Sequence, residues 1–345
     1  MPLSPFSLVR PALFALPAET AHKLSLAALG AVPLGRTQIP EALAVRVAGL
    51  SFPSPLGAAP GYDKNAEVPD ALLRLGFGFV EIGTVTPRPQ QGNPRPRLFR
   101  LAEDEAVINR MGFNNDGAEA VAARLRRRAG RPGIVGVNIG ANKDSADRIA
   151  DYAAMTRAMA PLASYLTVNI SSPNTPGLRA LQDQGTLGEL LDAVAEARGR
   201  AGPPVFLKLA PDLQPEDIDP ICCTAIDRGI DALIVSNTTI SRPTLRSRHA
   251  GEAGGLSGAP LRELALRRLR DFRKASGGQI PLIGVGGIAT AEDAWTRIRA
   301  GASLIQLYSA MVYAGPGLAR TINAGLVKLM QRDGFTSIAE AIGSE

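Results

Sequence analysis

After Gly49 the sequence repeats one pattern, in which a short apolar run ends in Gly, Asn or Lys and is followed by a helical segment. Several runs are apolar throughout, which is typical of parallel strands buried on both faces. Eight such units in series predict an α/β fold, a (β/α)8 TIM barrel. A doubly wound sheet is the alternative, but no Gly-x-Gly-x-x-Gly turn follows an early strand. The predicted strands are Gly57–Pro60, Phe79–Gly83, Ile134–Asn138, Tyr165–Asn169, Val205–Leu209, Ala232–Ser236, Leu282–Gly284 and Leu304–Leu307.

Residues 1–42 precede the repeat and predict an N-terminal helical extension to a barrel that spans residues 43–345. Phe6, Val9 and Leu13 fall on one face of its first helix, and a second helix follows. Two interpretations stay open, because an apolar face of this kind suits either packing on the barrel or lying on a membrane surface. No stretch approaches the ~20 apolar residues that a membrane span needs.

The net charge of +6 favours one of three partners, namely nucleic acid, an anionic membrane or an anionic ligand. Aromatic residues make up only 5% of the chain, so a stacking platform for nucleic acid is poorly supplied and we expect no such partner. Cys222 and Cys223 are adjacent, and His22 and His249 are far apart, so we expect no metal site and little histidine acid–base chemistry.

Polar residues lie at or just after the C-terminal ends of the predicted strands, which form the active site in barrels of this kind. Carboxylates are almost absent among them, which excludes most two-carboxylate hydrolase chemistry and most hard-metal sites. Each asparagine amide both donates and accepts hydrogen bonds. The pattern therefore predicts a site for a heterocycle that is bound through many hydrogen bonds. These residues are Asp63, Lys64, Asn65, Thr84, Asn138, Asn169, Lys208, Ser236, Asn237, Thr238, Tyr308 and Ser309.

Gly286 and Gly287, after the seventh strand, predict a phosphate cradle, because glycines let the backbone approach closely and a helix start follows them. Gly258 and the segment Tyr308-Ser309 are placed to add to it. Lys208 lies inside an apolar strand, where a charge needs a partner. A phosphate and a cation within a ring of amides suit FMN, whose reduced form such a lysine would stabilise.

Four segments closely resemble the dihydroorotate dehydrogenase family: Gly61–Asn65, Asn109–Asn115, Val168–Thr175 and Gly284–Ile288. The serine at position 172 and the N-terminal extension are similar to its membrane-associated, quinone-dependent class 2, since the soluble class has a cysteine base and lacks the extension. The resemblance implies oxidation of (S)-dihydroorotate to orotate in de novo pyrimidine (UMP) biosynthesis. It also implies FMN as hydride acceptor, a quinone as final acceptor, and peripheral attachment to the cytoplasmic face of the cell membrane.

The resemblance further implies which residues form the site, with Ser172 as the catalytic base. Thr175, close to it in sequence, is our hypothesis for a proton relay through a bound water. The implied FMN contacts are Pro60, Gly61, Tyr62, Asp63, Lys64, Thr84, Asn138, Asn169, Lys208, Ser236, Gly258, Gly287, Tyr308 and Ser309. The implied substrate contacts are Lys64, Asn109, Arg110, Met111, Gly112, Phe113, Asn169, Asn174, Asn237 and Thr238. The sequence departs from the family's usual residues at Pro60, Tyr62 and Ala141.

Three other functions are possible for a barrel of this kind, and each predicts different sequence features. A tRNA dihydrouridine synthase would need a catalytic cysteine and an RNA-binding domain, and a 2-hydroxy acid oxidase would need a histidine base near a strand end. The sequence has neither feature. A non-enzymatic membrane-surface protein on a barrel scaffold would not need Lys208 in an apolar strand, and it would lack a flavin spectrum.

Two segments interrupt the repeat. Arg97–Leu101 and Ala106–Ile108 predict a small hairpin. Ser241–Leu256 is a long polar loop after the sixth strand, and a loop of that length in a compact domain predicts a lid.

Overall fold

Eight parallel strands close into a barrel within residues 5–345, the part of the chain that this computed structural model describes. The barrel prediction is confirmed, and the doubly wound alternative is wrong. Residues 1–4 of the predicted N-terminal segment lie outside the described residues. The strands are β1 (Val45–Val47), β2 (Leu50–Phe52), β3 (Leu56–Ala58), β4 (Phe79–Val85), β5 (Leu98–Leu101), β6 (Ala106–Asn109), β7 (Ile134–Ile139), β8 (Tyr165–Asn169), β9 (Val205–Leu209), β10 (Ala232–Val235), β11 (Gly255–Gly258), β12 (Leu282–Val285) and β13 (Ala302–Leu307).

The barrel strands follow one another in the order β3, β4, β7, β8, β9, β10, β12 and β13, and β13 pairs with β3 to close the ring. Helices lie between them, as the sequence predicts. The α-helices are α1 (Pro5–Ala15), α2 (Ala18–Ala31), α3 (Pro69–Arg74), α4 (Gly117–Arg128), α5 (Arg148–Met159), α6 (Gln184–Arg198), α7 (Pro215–Asp227), α8 (Arg262–Ser276), α9 (Ala291–Arg299), α10 (Ser309–Ala314) and α11 (Leu318–Arg332).

Several predicted element ends are wrong by a few residues, and two of the shifts affect the site. Thr84 and Asn138 lie inside β4 and β7, because the ladder between these strands continues to the pair Val85 and Ile139. The helix that the sequence predicts over Asn65–Leu75 begins only at Pro69. Residues 64–68 form a turn, since the Asp63 carboxylate accepts hydrogen bonds from backbone N–H groups there.

Three aromatic rings seal the N-terminal end of the barrel. Tyr165 and Phe206 stack with ring centroids 4.4 Å apart, and Phe79 meets Tyr165 edge-on at 6.3 Å. All three side chains are fully buried. Gly136 provides the space, because a Cβ atom at this position would overlap the Tyr165 ring. Apolar rings therefore form the floor on which the polar interior rests.

A three-stranded antiparallel sheet of β5, β6 and β11 stands beside the barrel mouth. The predicted hairpin of β5 and β6 is confirmed. The predicted loop Ser241–Leu256 is too long by two residues, because Gly255 and Leu256 pair with β6 as the start of β11. The sheet has a small core of its own, formed by Phe99, Leu101, Ala106, Ile108 and Leu256.

Helices α1 and α2 contact this sheet through two arginines. The Arg100 guanidinium donates to the backbone oxygens of Leu13 and Phe14 at 3.0 and 3.1 Å, and so holds the end of α1. Arg97, only 5% exposed, forms an ion pair with Glu19 of α2 at 2.7 Å. The predicted N-terminal helices are thus present. Among the described residues, no helix has the length and apolarity to cross a membrane.

Gly136→Ala should lower the free energy of unfolding by about 1–3 kcal/mol, the usual effect of overpacking a core, because the new methyl group must displace the Tyr165 ring. Urea denaturation followed by circular dichroism measures this change. Gly185→Ala in α6 is the matched control, since no atom lies within 4 Å of its added Cβ. It should leave stability unchanged or raise it by up to about 1 kcal/mol. Equal stability of the two variants would contradict the sealed floor.

Candidate active site

A chain of side-chain hydrogen bonds rises from the barrel interior to its mouth. The Asn138 amide donates to the buried carboxylate of Glu81 at 2.8 Å. Its oxygen accepts from the Asn169 amide at 3.0 Å and from the Thr84 hydroxyl at 2.5 Å. Asn169 then accepts from the Ser171 hydroxyl at 3.0 Å. The structure therefore brings together three predicted residues from three neighbouring strands: Thr84, Asn138 and Asn169.

Asn237, after β10, joins the same chain from the opposite side, because its amide donates to the Ser171 hydroxyl at 2.9 Å. Its own oxygen accepts from the backbone N–H of Thr238 at 2.8 Å. Ser236 lies beside them and is fully buried. The predicted amide ring is thus a connected network, and a flat polar ring placed on it would meet both donors and acceptors.

Lys208 on β9 is 4% exposed, and its ammonium has no ion pair or hydrogen bond within residues 5–345. Burial lowers the pKa of Lys208, while the negative charge of Glu81 opposes that change. An unpaired cation in a barrel interior is costly unless a ligand supplies the partner. The residue therefore fits an anionic or strongly hydrogen-bonding ring edge above it, as a flavin would provide.

Two predicted site residues, Asp63 and Lys64, lie in the turn after β3 and have different roles there. The Asp63 carboxylate accepts from the backbone N–H groups of Glu67 and Val68, both at 2.8 Å, so this side chain stabilises the turn. The Lys64 ammonium is partly buried and donates to the Gly61 oxygen at 2.8 Å. Burial lowers the pKa of Lys64 to about 8. Lys64 is therefore the group in this turn that is able to bind an anion and to titrate near neutral pH.

Ser172 lies on the loop after β8, is 6% exposed, and accepts the backbone N–H of Asn174 at 3.2 Å. The loop is held from both ends. Asn174 donates to the Asn109 oxygen at 3.2 Å, which links it to β6. Arg179 donates to the Ser171 oxygen at 3.0 Å and to the Thr238 oxygen at 3.1 Å, which links it to the segment after β10.

The predicted substrate segment Asn109–Phe113 runs out of β6 along the mouth. Asn93 donates to the backbone oxygen of Arg110 at 3.0 Å, and Gln90 donates to that of Gly112 at 2.9 Å. The Met111 oxygen accepts from the Asn93 backbone at 3.0 Å. The segment thus has a defined path. Its first residue, Asn109, meets the loop of Ser172 through Asn174.

The predicted phosphate cradle lies where β12 and β13, neighbours in the barrel, both end. Gly286 and Gly287 have φ angles of 111° and 71°, a region that favours glycine, and a Cβ at Gly287 would overlap the Arg262 backbone. Ser309 donates to the Ser257 hydroxyl at 2.8 Å, which brings β11 and its last residue, Gly258, to the start of α10. The predicted members therefore converge on one edge of the mouth.

Tyr62 and Tyr308 connect this edge to the N-terminal helices. Their rings lie 5.6 Å apart, and His22 of α2 meets the Tyr62 ring edge-on at 5.2 Å. The Tyr308 hydroxyl is 3.4 Å from the His22 ring nitrogen, and Tyr62 donates to the Ser25 hydroxyl at 3.0 Å. Burial lowers the pKa of His22 to about 3, so this ring is neutral at physiological pH.

Known proteins share both the sequence and this architecture. The family described as dihydroorotate dehydrogenase matches residues 42–330. The chain belongs to the dihydroorotate dehydrogenase family. It is therefore an oxidoreductase. A protein named dihydroorotate dehydrogenase (quinone) from Novosphingobium aromaticivorans is 73% identical over 99% of this chain and 100% of its own length. One of the same name from Erythrobacter litoralis is 67% identical over 99% of each chain.

The fold agrees with the sequence comparison. The crystal structure of DHODH from Eimeria tenella in complex with ferulenol superposes with a TM-score of 0.90 at 41% identity, and the match covers 94% of this chain and 95% of that one. The resemblance predicted from the four motif segments is thus confirmed at the level of the family. The roles of individual residues remain predictions.

Sequence reasoning missed two residues that organise the site, Glu81 and Arg179. A signal for Glu81 was present, because a carboxylate in the apolar run Phe79–Ile82 needs a partner as much as Lys208 does. Arg179 had no such signal. It lies in a short 3-10 helix, Leu178–Gln182, and its role depends on three loops that only the fold brings together.

The affinity for orotate should fall as pH rises above about 8, because free Lys64 then loses the proton that an anionic ligand needs. The expected decrease is up to about tenfold per pH unit, with a constant affinity well below pH 8. Titrations with orotate between about pH 6.5 and 9.5 measure it. Lys64→Met should bind more weakly with no such slope. The same slope in that variant would assign the titration to another group.

Proposed function

We propose that the protein oxidises (S)-dihydroorotate to orotate in pyrimidine synthesis, with FMN as hydride acceptor and a membrane quinone as final electron acceptor. The observation that carries this proposal is the hydrogen-bonded amide network at the mouth, with buried Lys208 paired in register with Asn169 and Ser172 next to Ser171 in the chain. Membership of the family and the names of its relatives support it.

FMN, when bound, supplies a hydride acceptor. The glycine pair Gly286-Gly287 and the start of α10 would hold its phosphate, since both lie at one edge of the mouth. Asn138 and Asn169 would hydrogen-bond the flavin ring, and Lys208 would stabilise negative charge at its edge. The remaining proposed FMN contacts are Pro60, Gly61, Tyr62, Asp63, Lys64, Thr84, Ser236, Gly258, Tyr308 and Ser309.

The substrate would lie between the amide network and the segment Asn109–Phe113. Lys64 would bind its carboxylate, and Asn174 and Asn237 would hydrogen-bond its ring. Ser172 would remove the proton from C5, while the hydride leaves from C6. A serine hydroxyl is a weak base and needs an acceptor for its own proton.

Thr175 is our proposed relay for that proton, together with a bound water. The observation in its favour is that the Thr175 hydroxyl is buried and has no hydrogen-bond partner within residues 5–345. A buried hydroxyl without a partner is uncommon and points to an interaction made only in the loaded site. Its position on the same loop as Ser172 supports this role.

Ser172→Ala should bind FMN normally but slow anaerobic flavin reduction by dihydroorotate by ~10² or more, the usual contribution of a general base. Stopped-flow absorbance of the flavin band measures the rate. Thr175→Val keeps the size of the side chain and tests the relay in the same assay, where a slower rate is expected. Near-normal reduction in Ser172→Ala would refute the base, and an unchanged rate in Thr175→Val would refute the relay.

The N-terminal helices would deliver the quinone. His22 of α2 lies against Tyr62 and Tyr308, whose backbones belong to the proposed FMN site, so these helices meet the mouth. A neutral His22 is able to donate a hydrogen bond to a quinone oxygen. The printed names of the relatives include quinone, which supports this acceptor.

Peripheral attachment to the cytoplasmic face of the cell membrane is part of the same proposal. Among the described residues, most of the exposed large apolar side chains belong to the N-terminal segment: Leu8, Val9, Leu24 and Val32. Leu8 is 75% exposed, and no residue of α2 is fully buried. Together with Arg10 and Lys23, this pattern is typical of helices that lie on an anionic membrane surface.

Replacing both Leu8 and Leu24 by Glu should reduce binding to vesicles that contain anionic lipid by tenfold or more. A leucine side chain that becomes buried in the lipid contributes about 1.5–3 kcal/mol to binding, and a glutamate does not. Vesicle co-sedimentation measures the change, and dihydroorotate should still reduce the flavin. Ile240→Glu is the control, since Ile240 is 57% exposed but lies on the loop after β10. Unchanged vesicle binding in the double variant would contradict membrane attachment by these helices.

A further inference from the structure

Glu81 is a buried carboxylate that the proposed reaction does not use. It lies in β4 and is 1% exposed. One of its oxygens accepts from the Asn138 amide at 2.8 Å, and the other accepts from the Gln306 amide at 2.7 Å and the Tyr165 hydroxyl at 3.1 Å. An ionised carboxylate accepts hydrogen bonds and donates none. Each of these neighbours must therefore turn a donor towards it.

This requirement determines which way the next amides face. Asn138 turns its NH2 group to Glu81, so its oxygen faces the Asn169 amide at 3.0 Å and the Thr84 hydroxyl at 2.5 Å. Asn169 turns its oxygen the other way, where it accepts from the Ser171 hydroxyl at 3.0 Å and from the Ser171 backbone N–H at 3.3 Å. Every amide in the series thus has its donor end towards the barrel interior and its acceptor end towards the mouth.

We propose that Glu81 is a positioning residue that sets the donor–acceptor order of the amide chain from Asn138 to Asn237, and with it the groups offered to the flavin and pyrimidine rings. The inference rests on the proposed function, because Asn138 and Asn169 are proposed FMN contacts and Asn237 is a proposed substrate contact. Rings that alternate C=O and N–H bind poorly to reversed amides, since donors then meet donors.

Glu81→Gln keeps the size of the side chain but converts one acceptor oxygen into a donor. The remaining oxygen is expected to stay with Tyr165 and Gln306, where two donors converge. The new NH2 group then faces Asn138, whose amide must reverse. The reversed amide would place its NH2 group against that of Asn169, and the chain would be broken between these two residues.

The test compares ligand binding in the wild type, Glu81→Gln and Tyr165→Phe. Glu81→Gln should raise the dissociation constants of FMN and orotate at least tenfold, the effect of one buried donor left unpaired. Tyr165→Phe removes one donor but keeps the carboxylate and its bond to Asn138, so both constants should change by less than about threefold. Flavin fluorescence on dilution of the holoprotein gives the first constant, and orotate-induced changes in flavin absorbance give the second.

A double variant keeps the inference testable if Glu81→Gln alone fails to fold. Combining Glu81→Gln with Asn138→Asp moves the carboxylate one step along the chain, where it accepts from the new glutamine, from Asn169 and from Thr84. It should fold and bind both FMN and orotate, and more tightly than Glu81→Gln wherever that variant also folds.

Three results separate the possibilities. Wild-type affinity in Glu81→Gln, or a double variant that binds neither ligand, would overturn the positioning role. A wild-type protein that binds no FMN would instead contradict the proposed function.

Discussion

Polar side chains inside a closed barrel find most of their partners in one another, because burial removes them from bulk water and a closed sheet has no free edge. This constraint organises the whole molecule above its aromatic floor. Glu81 collects donors from β7, β8 and β13, and those strands are thereby tied together by their polar as well as their apolar faces. The amides that reach the mouth are the upper end of the same network. The amides at the mouth and the buried carboxylate of Glu81 therefore belong to one hydrogen-bond network.

The barrel itself could be predicted from the sequence, because strands buried on both faces are apolar throughout and recur at regular intervals. The strand ends were less predictable. Thr84 was expected to follow its strand and Asn138 to end its own, yet ladder pairing extends past both, since a barrel interior tolerates polar groups that are mutually satisfied. The predicted helix from Asn65 failed for a similar reason, because the Asp63 carboxylate stabilises a turn there.

The sequence predicts which residue types form the site, but it does not predict which of them contact one another. The amides and Lys208 could be predicted from the strand ends, and Ser172 from the resemblance to the family. No sequence pattern shows that Asn169 accepts from Ser171, or that Arg179 joins three loops, because these contacts join residues far apart in the chain. The N-terminal segment shows the same limit. Packing and membrane contact were treated as alternatives, whereas the helices both contact the sheet through Arg100 and expose Leu8 and Leu24.

The sealed floor has a consequence for solvent. Phe79, Tyr165 and Phe206 are all fully buried, so the aromatic floor closes the N-terminal side of the layer formed by Glu81, Thr167 and Gln306. That layer is closed on its N-terminal side and faces the mouth on the other. A flat ligand bound at the mouth would cover this layer from the other side, so Glu81 and its neighbours would be shielded from solvent while the ligand stays bound. Because the N-terminal end of the barrel is closed, a ligand at the mouth determines how far the polar layer is exposed to solvent.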